Sequence, residues 1–329
     1  MSNFSKEYDR IVEDIKYGRI YSSTETVITA LKILKNTLYE GGNRDAINRY
    51  RYLAEEIISV RPTSALLINS IREMTREVIE GYKERGIKGA RERADNAYNM
   101  LRKKIFQSME TSTSIASKRI EDGDIILTNS YSIYVKKTLE KVKESGKEVS
   151  IYIPESRPGS EGLKLAEEIS QMGFDVTLIV DSAVRYVMKE IDKVLLASEA
   201  IAANGALINK VGTSLIALAA NEARVRVFVV SSTLKFSPET FLGEIVEIVE
   251  ADPNSIISKD KLKEWQGKVK VRAPLFDVTP PEYIDAIITE RGLIAPQVVV
   301  LLIREMYGWP PHVLNVEEEL RELRKVTQD

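Results

Sequence analysis

The sequence predicts an α/β protein in which an N-terminal helical domain precedes a doubly wound, mainly parallel sheet. Two changes of pattern predict it. Up to about residue 120 apolar residues recur at three-four spacing, the mark of a helix with one buried face. After Asp122 and Gly123 they gather into strand-length runs separated by amphipathic stretches, the alternation that builds a parallel sheet covered on both sides. The length, 329 residues, exceeds one ordinary domain, so 1–121 and 122–329 read as separate units.

In order, Val27, Leu31, Leu34 and Leu38 mark the first buried helical face, with Thr24 and Thr26 as candidate caps and Gly41 and Gly42 as its breaker. A second helix spans about 44–60 and stops at Pro62. A third covers about 65–82, and a fourth 88–107 with Ala94, Ala97, Leu101 and Ile105 as its stripe. The strands fall at 125–127, 149–153, 176–180, 194–196, 225–230 and 284–288. Their following loops are TNSYS (128–132), ESRPGSEG (155–162), DSAV (181–184), SEAIAANG (198–205), SSTLKF (231–236) and TERG (289–292). In a parallel sheet all six lie on one edge, where open α/β folds bind ligands.

That edge carries hydroxyls, glycine turns, helix N-termini and the cations Arg157, Lys210 and Lys235, a collection suited to phosphate. Within it, 192–220 reads as a buried strand, Glu199, a turn at Asn204 and Gly205, and an Asn209–Lys210 pair opening an apolar helix. No Walker loop or GxGxxG fingerprint follows a strand. The chain has no cysteine and one histidine, His312, which reads as an exposed loop residue in WPPHV. Thiolate catalysis, histidine triads and Cys- or His-built metal sites are therefore set aside. No metal or cofactor is expected, and chemistry falls to carboxylates, Lys, Arg, Tyr or Ser. A net charge of −2 offers nucleic acid no basic footprint. Charges interrupt every long apolar stretch, so no membrane span or signal peptide is expected and the cytoplasm is the expected location.

The loops ESRPGSEG, DSAV, NGALINKVGT and SSTLKF, with FDVTPPEYIDAIITERGLIAP (276–296) and RPTSALLINSI (61–71), resemble a known family. It joins the alpha, beta and delta subunits of eukaryotic translation initiation factor 2B to ribose-1,5-bisphosphate isomerase and methylthioribose-1-phosphate isomerase. The resemblance implies a helical domain, a Rossmann-like domain and assembly through the latter into a homodimer or hexamer. It also implies a ligand set for a sugar phosphate or nucleoside monophosphate: Arg61, Ser132, Arg157, Asn209, Lys210 and Lys235.

Two positions depart from the isomerase pattern. Ser130 stands where those enzymes carry a catalytic cysteine, and Glu199 where they carry an aspartate. A hydroxyl is a far weaker acid than a thiol. The extra methylene of Glu199 displaces its charge by roughly an ångström, a misplacement worth about a hundredfold in rate. Both versions look more like the initiation-factor subunits, and the Tyr17–Tyr21 stretch of the helical domain departs from the isomerases' glycine loop. The resulting expectation is a non-catalytic, archaeal-type initiation factor 2B-like regulator with initiation factor 2 as its protein partner. The alternative is an active ribose-1,5-bisphosphate isomerase.

Outside the pocket, Pro280 and Pro281 read as a rigid strand entry and Asp277 and Asp285 as solvated or capping carboxylates. The polar insertion 252–273 reads as a lid or partner surface, and 316–329 as a terminal helix with Leu320 and Leu323 on one face.

Overall fold

The computed structural model describes residues 3–16, 22–40, 42–243, 246–265, 268–308 and 315–326. Four helices come first: α1 (Asn3–Lys16), α2 (Ser23–Thr37), α3 (Asn43–Val60) and α4 (Ala65–Ser117). Ser22, not Thr24 or Thr26, caps α2, accepting from the Glu25 N–H at 3.4 Å. The two threonines lie inside the helix, which frees Thr26 for another use described below.

The third and fourth expected helices are two arms of α4, hinged at Arg85 and Gly86, where φ reaches +60° at the glycine. A Lys104–Glu73 ion pair at 3.6 Å bridges the arms, so they run back along each other. Gly81 and Gly89 permit the close approach: a Cβ on Gly81 would sit 2.4 Å from the Gly89 carbonyl oxygen. Val27, Leu31, Leu34 and Leu38 are fully buried here, as are Ala94 and Ile105. Each aliphatic side chain so covered contributes about 1.5–3 kcal/mol.

The second half of the chain alternates β1 (Ile125–Leu127), α5 (Ile133–Glu144), β2 (Ser150–Pro154), α6 (Glu161–Gln171), β3 (Asp175–Ile179), the short α7 (Val184–Val187) and β4 (Lys193–Leu196). It continues with β5 (Ala200–Ala202), β6 (Leu207–Lys210), α8 (Thr213–Ala223), β7 (Arg226–Val230) and β8 (Phe236–Ser237). After these come α9 (Lys259–Glu264), β9 (Phe276–Thr279), β10 (Ala286–Thr289), β11 (Gly292–Ile294), α10 (Val299–Tyr307) and α11 (Val316–Val326).

All six expected strands are present in one seven-stranded sheet, ordered β11-β10-β7-β4-β1-β2-β3 and parallel except for β11. Neighbouring residues of β1 serve opposite faces. Ile126 packs under α5 and α6, and Leu127 packs under α8 and α10. The chain runs outward from β1 through β2 to β3, then returns so that β4 pairs with the other side of β1, Leu127 opposite Val194. The order therefore reverses between β1 and β4, and the carboxyl ends of these two strands are where open α/β sheets place their ligands.

A second sheet, β8-β5-β6-β9, was not expected. It turns the supposed loop after β4 into a hairpin, with Gly205 at its tip at φ +84° and packed against Pro296. Asn209 and Lys210 consequently end a strand, and α8 begins at Thr213 rather than at that pair. The last helix, α11, joins the N-terminal helical core through Leu320 and Leu323. Among the described residues, no helix is long and apolar enough to cross a membrane.

Candidate functional site

Three side chains distant in sequence meet at the switch point. Glu199 follows β4, Arg61 follows α3, and Lys235 sits in the turn after β7. The Arg61 Nε donates to Glu199 Oε1 at 3.2 Å, and its Nη1 donates to Thr26 Oγ1 at 3.1 Å. Lys235 is only 2% exposed. Its Nζ donates to the Ser198 carbonyl at 2.5 Å and lies 4.6 Å from the centre of the Tyr134 ring.

The electrostatics follow from that packing. Burial pushes the Glu199 carboxyl up, but the Arg61 and Lys235 charges outweigh it and hold the group below the usual glutamate range. Burial pushes Lys235 down to about 8, against the pull of Glu199 and with some help from Arg61. At neutral pH the trio thus holds two cations and one anion. The hydroxyls of Thr24, Thr128 and Ser130 are buried without a hydrogen-bond partner, while the Ser64 hydroxyl is engaged by the Glu199 carboxylate. Buried hydroxyls of this kind are rare unless something fills the space they face.

Ser130 lies just beyond β1 at φ +59°, and its N–H donates to Ser156 Oγ at 2.9 Å. Ser156 in turn donates to Asn129 Oδ1, and Asn129 Nδ2 donates to Thr213 Oγ1 at 3.0 Å. Asn209 reaches the same Thr213 hydroxyl at 3.1 Å. Ser130 and Asn209 are thereby joined to one buried network beyond the carboxyl end of β1.

The remaining expected ligand residues have other engagements. Ser132 caps α5, accepting from the Tyr134 and Val135 N–H groups. Lys210 pairs with Glu161 at 2.5 Å and lies 5.4 Å from the Phe276 ring centre. Arg157 points away from the trio: its exposed guanidinium donates to the Ser255 carbonyl in the insertion. The N-terminus of α8, expected to offer free N–H groups, is filled by Asp277, which accepts from Gly212 N at 2.8 Å and Ser214 N at 3.1 Å. Burial pushes that carboxyl up to about 6. The insertion carries an open, shallow hollow of about 480 Å³ lined by Ile256, Trp265, Val269 and Lys261 among others, none of them in the expected ligand set. His312 and the Tyr17–Tyr21 stretch lie outside the described residues. Among the described residues, no three His, Asp or Glu side chains converge to hold a metal ion.

Sequence reading passed over Thr26, Tyr134 and Ser156. Thr26 reads as a cap, and no spacing signal sets Tyr134 or Ser156 apart.

The comparisons with known proteins bear on this geometry. Residues 19–296 match the model of the initiation factor 2 subunit family. The chain belongs to that family. Within the initiation factor 2 subunit family, a ribose 1,5-bisphosphate isomerase from Pyrococcus furiosus is 36% identical over 92% of this chain and 95% of its own. One from Methanocaldococcus jannaschii is 43% identical over 80% and 82%. A crystal structure of the Pyrococcus horikoshii translation initiation factor eIF-2B superposes with a TM-score of 0.74 at 28% identity, covering 88% of this chain and 97% of that one. The expectation of a non-catalytic regulator is corrected by these relatives. Six curated proteins, 33–43% identical over most of the chain, carry the name of an enzyme. Ser130 and Glu199 do not act alone in this pocket: a buried lysine, Lys235, places its charge on the same carboxylate, which residue types at two positions do not reveal.

Proposed function

We propose that this chain is a sugar-phosphate isomerase acting on ribose 1,5-bisphosphate. One observation carries the reading: a carboxylate, Glu199, is held ionised by the partly buried Arg61 and the buried Lys235 at the switch point of a chain whose relatives bear that name. The excess positive charge and the unpartnered hydroxyls suit a phosphorylated polyol.

Conversion to ribulose 1,5-bisphosphate opens the ring and moves hydrogen between adjacent carbons. The ring oxygen must gain a proton as its bond to C1 breaks. C2 must lose a proton, C1 must gain one, and the C2 hydroxyl must lose its own to become the ketone. In our reading Glu199 takes the C2 proton and returns it to C1. The Lys235 ammonium protonates the ring oxygen and recovers a proton from the C2 hydroxyl, closing the balance. An acid titrating near 8 is well matched to this work. Ser130 then needs only to donate a hydrogen bond, which a hydroxyl does without ionising. Arg61 holds Glu199 in place and offers charge to a phosphate.

The test is to incubate purified protein with ribose 1,5-bisphosphate and follow ribulose 1,5-bisphosphate. Turnover that disappears in Glu199→Gln supports the reading; wild-type protein that binds the substrate and leaves it unchanged overturns it. We infer in addition a homo-oligomer, because Leu215 and Leu218 share an exposed face of α8. Sedimentation as a monomer at every concentration would contradict that inference.

A further inference from the structure

Lys235 owes its position to more than its own contacts. The Asn69 side chain, on the first arm of α4, donates one Nδ2 hydrogen to the Leu234 carbonyl at 2.9 Å and the other to the Phe236 carbonyl at 2.8 Å. Those are the carbonyls of the two residues on either side of Lys235. The amide oxygen accepts from Arg72 Nη1 at 2.9 Å, and Arg72 pairs with Glu239 just beyond the same turn. The two carbonyls demand the nitrogen end and the guanidinium demands the oxygen end, so the amide has one orientation.

We propose that Asn69 is a positioning residue for Lys235, a two-pronged clamp by which α4 fixes the lysine backbone so that its ammonium stands beside Glu199. The proposal rests on the isomerase reading and deepens it. Only a primary amide meets the geometry: two donors for two buried carbonyls and one acceptor for Arg72. Alanine abandons both carbonyls, and aspartate sets a charge against them. Because a lysine displaced by an ångström is a poor acid for its substrate, loss of the clamp acts on proton transfer.

Both cations are held near one corner of the helical domain. Arg61 caps the C-terminus of α3, its carbonyl accepting from Ser64 just before α4, and Asn69 is an early residue of α4, so the α3–α4 corner ties Arg61 and Lys235 to neighbouring backbone. A purely structural tie between α4 and the β7–β8 turn would stabilise the fold without touching the chemistry. The experiment must separate the two roles.

It compares wild type, Asn69→Ala, Lys235→Met and the double variant with ribose 1,5-bisphosphate across pH. Asn69→Ala is expected to lower kcat/KM at least about tenfold and to move the limb that Lys235→Met abolishes. In the Lys235→Met background the same change should cost less than about threefold, because the residue it serves is gone. Multiplying losses in the double variant, or an unmoved limb in Asn69→Ala, would overturn the proposal. Asn69→Ser, which keeps one donor, should give an intermediate loss and serves if the alanine variant does not fold.

Failure of the isomerase reading has its own signature, the absence of turnover in wild type. In that case the clamp is read directly by titrating the lysine side-chain resonances in carbon-13-labelled protein, Lys235 being the signal missing from Lys235→Met. A midpoint shifted by about half a unit or more in Asn69→Ala supports the clamp, and an unshifted one overturns it.

Discussion

Two buried ion pairs flank the start of α4, and they differ in what they leave unfinished. Arg72 faces Glu239 and Asn69, while nearby Arg76 pairs with Glu319 at 2.8 Å, so this cluster balances two cations against two carboxylates. Arg61 pairs with Glu199, the Lys235 charge acts on the same carboxylate, and the unpartnered hydroxyls of Thr128 and Ser130 lie buried just beyond β1 at the same switch point. The first arrangement joins helix to sheet. The second is short of one negative charge, and a phosphate would complete it. Composition does not separate them, since both are Arg–Glu contacts set in apolar surroundings. Charge balance does.

The difference can be broken most forcefully at Glu199. Glu199→Gln keeps the shape and removes the base, and is expected to lower turnover about a thousandfold in a steady-state assay, general acid–base groups being worth about a hundred to ten thousand. Glu239→Gln, the same change in the balanced cluster, should leave turnover within about tenfold and appear chiefly as lost stability.

Next comes the contrast between the arginines. Arg72→Met strands Glu239 and should cost about 3–5 kcal/mol in denaturant unfolding. Arg61→Met relieves one of two neighbouring cations as well as breaking a pair, so its stability cost should be smaller and its loss of substrate affinity larger. Equal effects of the two on both readouts would erase the distinction.

The pH dependence comes third. Lys235 is charged below about 8, so kcat should fall as pH rises through that value and lose the limb in Lys235→Met. The stability effect has the opposite sign. Between about 8 and the ordinary lysine value of 10.5 the unfolded chain holds a proton the folded one has lost, so this group favours the fold increasingly as pH rises. Chemical unfolding at pH 8 and pH 10, wild type against Lys235→Met, isolates that contribution. The smallest effect is ligand stabilisation. Inorganic phosphate at a hundredfold excess over its Kd should add about 2.7 kcal/mol to wild type and much less to Arg61→Met in thermal denaturation.

The strands and helices were legible because each is local. Val27, Leu31, Leu34 and Leu38 report a helix by spacing alone, and the run at 194–196 reports a strand alone. The second sheet escaped because its strands are two to four residues long and gain their identity from partners such as Phe276 opposite Lys210. With no periodicity to display, Ala200–Ala202 read as loop, and Asn209 and Lys210 were assigned to a helix that begins later. Arg157 was chosen as a cation on the correct edge, yet its side chain turns toward Ser255, a choice made by an insertion almost a hundred residues away. Glu199 was legible as a site position, but its state was not, because burial and two distant cations set it.

By itself the sequence determined the periodicities, the strand alternation and the residue types available for chemistry, with no thiol and a single imidazole among them. These are properties of neighbours along the chain, and the solvent preference of each side chain enforces them. Tertiary structure alone decided that Arg61 and Glu199, 138 residues apart, meet at the β1–β4 reversal, that Lys235 is buried beside them, and that Asn69 spans its backbone. Desolvation and Coulomb energy depend on distance in space, so the charge state of the site came into being only when the sheet closed the gap.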